Sequence, residues 1–584
     1  MGLASRPIAS FRWLALLTLG SGLLAAPPAM AQAGAGPGPL FQGVLPSDQV
    51  LEEPELEPEE QRPTGLPPIP APTPPRLPDE AAAPGEGTLR IRGVRFVGST
   101  VIDEAMLARA AEPFLGRELT VADVEALRDA LTSTIVSAGY LTSGAVLPEQ
   151  VIERDGVLEV EIVEGVLSRI DIEGNRWVRA SYYEKRIARG LEGPLHAPSL
   201  ERRIRRLQRD PHLSGIHATI RPGDRRGEAI LEVDIEERTP ISAIAEMHNQ
   251  LSPSLGEVRG GFGLAHRSLS GFGDLLSVSG DVSEAGGGLE VTYELPLTAW
   301  DTRLRAQGRY RRFDLSSGIG EELDLESDYW SAELGIHQPL FPPGSWEGGI
   351  GLVGDLREST VTFLDTDEDF PLPGADDGRT RVAALRLLVD GIYREPGRVL
   401  ALQSVTTVGV KLFGATRNSG PAPETQFVSW LFQAQALQRV TEWKIELVAK
   451  AALQLSNRRL FGLEQFGLGG YYSVRGYREN QIVRDEGASG RLEVRIPLRA
   501  TALGRKPTLQ LVPFVDAGRA FSRHRESDAD KAISVASVGV GTRFQIGPHA
   551  RGEAFYAHPL RDLDRDGDSL QDLAFHFRLV LTWP

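Results

Sequence analysis

The residues whose types and spacing invite chemistry lie in two short stretches. Phe466-Gly-Leu-Gly-Gly-Tyr-Tyr-Ser-Val-Arg-Gly-Tyr477 sets a single arginine, Arg475, in a glycine-rich run, and Phe514-Val-Asp-Ala-Gly518 sets a single aspartate, Asp516, further on. A guanidinium fork matches a carboxylate, so the chemistry on offer is ion pairing rather than group transfer. From Leu509 the odd positions Leu509, Leu511, Pro513, Val515 and Ala517 are apolar, which puts Asp516 on the opposite face with Gln510. A loop carrying Val474-Arg475-Gly476-Tyr477 that folds back onto that polar face brings Arg475 to Asp516, with Phe514 and Gly518 completing the partner motif. Gly469, Gly470 and Gly476 permit the sharp turns and close approach this requires.

Asp562-Leu-Asp-Arg-Asp-Gly-Asp568 has the opening of a calcium loop, with Asp562, Asp564 and Asp566 as weak ligand candidates. Its twelfth position is Leu573 instead of the bidentate Glu such a loop needs, so an acidic turn is the preferred reading. Asp365-Thr-Asp-Glu-Asp369 reads the same way. There is no Gly-x-Ser-x-Gly elbow, no Walker loop and no cysteine nucleophile (Cys 0), and the 10 histidines form no His-Glu-x-x-His pair. An esterase or protease built from scattered Ser, His and Asp is disfavoured, and no cofactor, metal or enzyme activity is expected.

The elements that must position Arg475 and Asp516 read as strands with one apolar and one charged face. Trp443, Ile445, Leu447, Ala449, Ala451, Leu453 and Leu455 alternate with Glu442, Lys444, Glu446, Val448, Lys450, Ala452 and Gln454. Arg491, Glu493 and Arg495 alternate with Leu492, Val494 and Ile496. Such strands recur from Ile241 onward with no helix-period segment to cover their apolar faces. A closed barrel in lipid needs no cover: apolar residues face outward and polar residues face the lumen. About sixteen strands can be marked, an even number as a bacterial barrel requires. Arg303, Arg305, Gln307, Arg309 and Arg311 share one face of one strand. Each arginine facing lipid at the midplane costs about 2–4 kcal/mol, so this row is expected to line water. The last strand sets Phe575, Phe577, Leu579, Leu581 and Trp583 against His576, Arg578 and Thr582, with Pro584 following.

Length, composition and order fit this reading. The 584 residues exceed one ordinary domain, the hydrophobic content is 41%, and the net charge of −16 argues against nucleic acid as a partner. Residues 1–31 read as a secretory signal peptide, with Arg6 and Arg12, an apolar centre from Trp13 to Ala26, and Ala29-Met30-Ala31. Residues 32–87 are rich in Pro, Glu, Ala and Gly and read as a linker, with Ser47-Asp-Gln-Val-Leu-Glu-Glu53 as the one candidate for a short helix. Residues 88–165 predict β-α-α-β-β, with strands over 89–97, 140–147 and 157–163, Thr120 and Asp123 as a capping box and Gly139 as a C-terminal cap. Residues 166–238 repeat that order, with helices expected over 181–191 and 199–209, and residues 239–584 supply the barrel. The second helix of the repeat carries Arg202, Arg203, Arg205, Arg206 and Arg209, read as a solvated face or as a holder for an acidic segment.

The motifs Ser473-Val-Arg-Gly-Tyr477 and Phe514-Val-Asp-Ala-Gly518 resemble the lumenal-loop and strand motifs of outer-membrane barrels that carry POTRA domains. Leu147-Pro-Glu-Gln150, Gly156 and Glu164-Gly165 resemble the transporter type of that domain. Within the superfamily the chain resembles two-partner secretion transporters of the ShlB and FhaC haemolysin secretion/activation type, over everything after Thr88. The resemblance implies a transmembrane β-barrel of about sixteen antiparallel strands with two N-terminal periplasmic α+β POTRA domains, and a short plug helix near the mature N-terminus, for which residues 47–53 are the candidate. It implies export of an unfolded partner exoprotein of adhesin or haemolysin type from periplasm to cell surface. Further partners would be outer-membrane lipid and lipopolysaccharide, with the barrel-assembly machinery and periplasmic chaperones serving biogenesis. A barrel-assembly or insertase factor of the same superfamily is the alternative, and a passive porin is the third reading.

Overall fold

The computed structural model describes residues 89–152, 156–314, 324–341, 345–364, 368–370, 374–376, 378–418, 422–440, 443–499, 508–522, 532–563 and 569–583. The expected signal peptide, linker and plug helix lie outside the described residues, as do Asp564, Asp566 and Asp568 and part of the 365–369 acidic stretch. The chain divides into two compact units, residues 59–238 and a barrel unit from residue 239 onward.

The first unit contains two successive small domains. In the first, β1 (Leu89–Arg90), β2 (Gly93–Val97), α1 (Glu104–Ala111), β3 (Glu118–Leu119), α2 (Val121–Ser137), β4 (Gly144–Val146) and β5 (Val157–Val163) follow in order. The expected opening strand is split in two, and β4 is shorter than the 140–147 expected. At the start of α2 the Thr120 side chain accepts from the Asp123 backbone while Asp123 accepts from the Thr120 backbone, a complete capping box. The Thr120 backbone N–H bond, helped by Arg117, holds the Asp123 carboxyl below its ordinary range against the opposing effect of burial. Leu127, Leu131 and Ile135 then bury one helix face against Leu158, Val160 and Ile162 of β5.

The second domain runs β6 (Val166–Glu173), α3 (Ala180–Ala188), α4 (Ala197–Leu207), β7 (Leu213–Pro222) and β8 (Glu228–Glu237). Helix α4 begins earlier than the 199–209 expected because Pro198 fits its first turn. Leu200, Ile204 and Leu207 bury its inner face. Both domains place the last strand at the centre of a three-stranded sheet, in the orders β2-β5-β4 and β6-β8-β7. Burial pushes the Tyr183 hydroxyl up, reinforced by Asp210 and by Glu237, to which it donates.

The barrel unit consists of β9 (Ile241–His248), β10 (Arg259–Arg267), β11 (Leu275–Ser283), β12 (Gly286–Pro296), β13 (Arg303–Asp314), β14 (Leu325–Phe341), β15 (Trp346–Phe363), β16 (Arg379–Glu395), β17 (Arg398–Gly409), β18 (Val428–Arg439), β19 (Glu446–Ser456), β20 (Phe466–Leu468), β21 (Ile482–Arg484), β22 (Glu486–Arg499), β23 (Thr508–Phe521), β24 (Ile533–Ile546), β25 (Ala550–Pro559) and β26 (Phe575–Trp583). All but β20 and β21, which form a small ladder of their own, join into one closed barrel of 16 antiparallel strands. Closure is made by β26 on β9, with Arg578 opposite His248 and Leu581 opposite Ala245. Closure leaves no sheet edge, which is what allows strands to sit in lipid. No described helix is long and apolar enough to cross a membrane.

Side-chain alternation follows the expected faces. Leu492, Val515, Val538 and Val540 point outward and are exposed, while Arg491, Glu493, Asp516 and Ser537 point inward and are buried. The arginine row of β13 also faces inward, but it does not line open water. Arg305, Arg309 and Arg311 are all buried, and ion pairs run from Arg309 to Glu290 at 2.8 Å and from Arg305 to Glu294 at 3.7 Å. The reason is local: β12 pairs Glu290 opposite Arg309 and Glu294 opposite Arg305, so the charges are satisfied within the wall.

Candidate functional site

The segment between β19 and β22 does not leave the barrel as a simple loop. It folds inward, passes through the β20/β21 hairpin, and returns to the wall at Glu486. Phe466, Leu468, Val474, Tyr477 and Ile482 of this segment form one apolar cluster with Ala520 and Val535 of the wall. That packing orients the turn between the two short strands.

Arg475 sits at the centre of the turn and is fully buried. It donates through Nε to Asp516 Oδ2 at 2.7 Å and through Nη2 to Asp516 Oδ1 at 2.9 Å, a bidentate pair. Its backbone N–H also donates to Asp516, at 3.2 Å. The Nη1 group donates to Glu493 Oε1 at 2.9 Å. The guanidinium lies over the Phe514 ring, 3.4 Å from its centroid, and 4.8 Å from that of Phe555. One cation therefore has two carboxylates and two ring faces around it. The carboxylates come from adjacent strands, β22 and β23, whose register sets Arg491 opposite Asp516 and Glu493 opposite Phe514.

The neighbouring motif residues fasten the same turn. Gly476 adopts φ +88°, and a Cβ there would meet Ala557 O at 2.8 Å, so glycine is required for both conformation and space. Its N–H donates to His576 Nε2 at 3.2 Å. The Tyr477 hydroxyl lies within hydrogen-bond reach of the carbonyls of Ala536 (3.0 Å) and Arg561 (2.9 Å). Arg478 pairs with Asp572 through two bonds, at 2.5 and 2.8 Å. Tyr472 donates to Gln250 Oε1 at 3.0 Å, and Tyr471 donates to Glu553. Gly518 has its own reason: a side chain there would run into Leu468 of the hairpin.

The structure thus brings Val474, Arg475, Gly476, Tyr477, Phe514, Asp516 and Gly518 into one cluster. The sequence reading missed Glu493 as the second carboxylate, although the alternation had already placed it on the lumenal face. It also missed the role of His576, although the alternation of the last strand places it on the polar face, and Phe555, whose position carries no local signal. Asp562 follows Arg561, whose carbonyl the Tyr477 hydroxyl reaches, but among the described residues no group of His, Asp and Glu is arranged to hold a metal ion.

A family model described as haemolysin secretion/activation protein ShlB/FhaC/HecB matches residues 227–544. A model of the ShlB-type POTRA domain matches residues 89–165. The outer membrane transporter CdiB of Escherichia coli is 26% identical over 485 residues, 79% of this chain and 78% of that protein. The solved structure of CdiB from Escherichia coli superposes with a TM-score of 0.61 at 23% identity, over 87% of this chain and 93% of the other. BamA from Haemophilus ducreyi lacking POTRA domains 1–3 superposes with a TM-score of 0.53 at 14% identity, over 85% of this chain and 100% of the other.

Proposed function

The chain belongs to the haemolysin secretion/activation protein family of ShlB, FhaC and HecB, outer-membrane transporters with periplasmic POTRA domains, and we propose that it exports one large partner exoprotein in unfolded form by two-partner secretion. The client enters from the periplasm, where both small domains offer sheet edges, β2 and β4 in the first and β6 and β7 in the second. An extended client strand added to such an edge gains backbone pairing with little demand on sequence. That is the binding a chain in transit needs. Much of the lumenal wall is Arg, Glu, Asp and Gln, which offers apolar client segments little to bind outside the patch that the loop covers. Folding of the client outside the cell prevents its return. Barrel-assembly machinery and periplasmic chaperones deliver the barrel to a lipopolysaccharide-bearing membrane.

The observation that carries this reading is the loop bound inside the closed barrel through Arg475, Asp516 and Glu493. A passive pore has no use for a buried cation held by two carboxylates on its own wall. We assign Arg475 and Asp516 the role of a latch that positions the loop. The insertase alternative shares the fold, as the likeness to BamA indicates, while the family match favours export. The test is removal of the chain from its own cells. Export predicts that the partner exoprotein accumulates in the periplasm while the levels of other outer-membrane barrels stay unchanged. A general loss of barrels with normal secretion of the partner would overturn it.

A further inference from the structure

A second group of fully buried charges lies away from the Arg475 cluster. Arg386 of β16 donates through Nη1 to Glu464 Oε2 at 3.0 Å and through Nη2 to Glu464 Oε1 at 2.6 Å. Arg357 of β15 adds a third bond to Glu464 Oε1 at 3.1 Å. Arg357, Arg386, Asp355 and Glu464 all have side chains with no exposed surface. Glu464 belongs to the inward-folded segment, just before β20, in a short 3-10 turn Gly462–Glu464. Gln454 of β19 fixes that turn by donating to the Glu464 carbonyl at 3.0 Å and to the Asp485 carbonyl at 3.1 Å, so one wall residue holds both ends of the segment.

The two groups hold the base and the tip of one loop to different sectors of the wall. Glu464 reaches β15 and β16, several strands before the loop's origin at β19, while Arg475 reaches β22 and β23 just beyond it. Their polarity is reversed: at one tie the loop supplies the carboxylate and the wall the guanidinium groups, and at the other the loop supplies the guanidinium. The wall at the first tie is balanced without the loop. Arg386 forms a bidentate pair with Asp355 at 2.7 and 3.2 Å, and Arg357 approaches Asp355 at 2.7 Å and Glu333 at 3.9 Å. Two cations face two anions before Glu464 arrives. Withdrawing Glu464 therefore leaves no uncompensated charge in the wall, the condition under which a buried ionic contact can be made and broken repeatedly.

We propose that Glu464 is a positioning residue, the second and oppositely charged tie of the lumenal loop, and that with Arg475 it stretches the loop across the lumen and keeps it closed to ions at rest. This rests on the transporter reading for its purpose, but not for its test, which needs no client. The full chain and its Glu464→Gln variant are purified and inserted into planar lipid bilayers, and the fraction of time in conducting states is recorded. Losing the charge from three charge-assisted bonds should raise that fraction at least about tenfold. Arg475 and its partners should keep their contacts, so a cysteine placed at Ser473 should stay protected from a maleimide. Glu464→Asp keeps the charge but draws it back by one methylene. It should assemble even if the glutamine variant does not, and should raise the conducting fraction by about threefold or more. An unchanged conducting fraction in every variant that migrates as a folded barrel overturns the proposal. So does a rise in conductance accompanied by exposure of the cysteine at 473, which would make Glu464 a general stabiliser and not a separate tie. Failure of the export reading would show differently, as normal partner secretion when the chain is removed.

Discussion

Replacing Asp516 by alanine removes three of the four hydrogen bonds that Arg475 makes, leaving only its Nη1 bond to Glu493 at 2.9 Å. Breaking a buried ion pair by deleting one partner costs about 3–5 kcal/mol. Glu493 and the Phe514 ring still compensate the guanidinium, so the lower end applies, about 3 kcal/mol. The penalty falls on docking of the loop and not on closure of the barrel, because the β22–β23 ladder is held by backbone bonds. At about 1.4 kcal/mol per factor of ten, the ratio of docked to undocked loop drops by about two orders of magnitude. The sequence contains no cysteine (Cys 0), so a single Ser473→Cys substitution makes a clean probe. Ser473 is 7% exposed and bonds only within the turn, to Gly469. In folded barrels its maleimide labelling rate should rise about a hundredfold with Asp516→Ala and by a similar factor with Arg475→Ala. Both variants should remain in the outer membrane, and secretion of the partner should fall sharply in each. The double variant should label no faster than Arg475→Ala alone, since losing the guanidinium already removes every contact that Asp516 makes to it. Unchanged labelling in both variants, or effects that add in full, would refute the latch.

Gly476→Ala should reproduce the secretion defect of Arg475→Ala in a barrel of normal heat-modified mobility, because φ +88° and the carbonyl of Ala557 at 2.8 Å exclude a methyl group from the docked turn; normal secretion would show that the turn tolerates undocking. In the first periplasmic domain, the Asp123 carboxyl is depressed, chiefly by the Thr120 backbone N–H, so its contribution is present above the usual aspartate range and is lost as pH falls through the lowered folded value. Protection of the amides at the start of α2, taken relative to their intrinsic exchange rates, should therefore fall only at strongly acidic pH, and Thr120→Ala should weaken the cap by about 1 kcal/mol at neutral pH.

What could be read from the sequence was whatever repeats locally. Alternation along Glu486–Arg499 assigns Arg491, Glu493 and Arg495 to the lumen without knowledge of any neighbour, because the strand period is two. The Arg475–Asp516 contact was legible because each residue is the single charge of its kind in a motif whose glycines signal close approach. Glu464 was not legible. Its partners Arg357 and Arg386 lie 107 and 78 residues away in sequence and look like any other inward arginine. The one available signal was chemical: Glu464 follows Leu460, Phe461 and Leu463, all buried, and precedes Phe466, so a carboxylate in that company has to find a cation. In the periplasmic domains the helices and their buried faces follow from spacing and caps. The two-residue strands β1 and β3 do not, since each exists only through pairing with the other.

Building the wall and docking the loop depend on the same alternation. Lipid outside drives the strand charges at its own depth inward, and this supplies the lumenal surface on which Arg475 and Glu464 find partners. A one-residue slip of β23 against β22 would therefore do two things at once. It would turn Asp516 toward hydrocarbon and Ala517 toward the lumen, costing the wall a stranded carboxylate and the loop its bidentate acceptor. The docked loop then acts as a check on register: the barrel that binds Arg475 through both Asp516 and Glu493 is the one whose strands have paired correctly. A chain that closes with the wrong shear also loses the tie that fits it for transport.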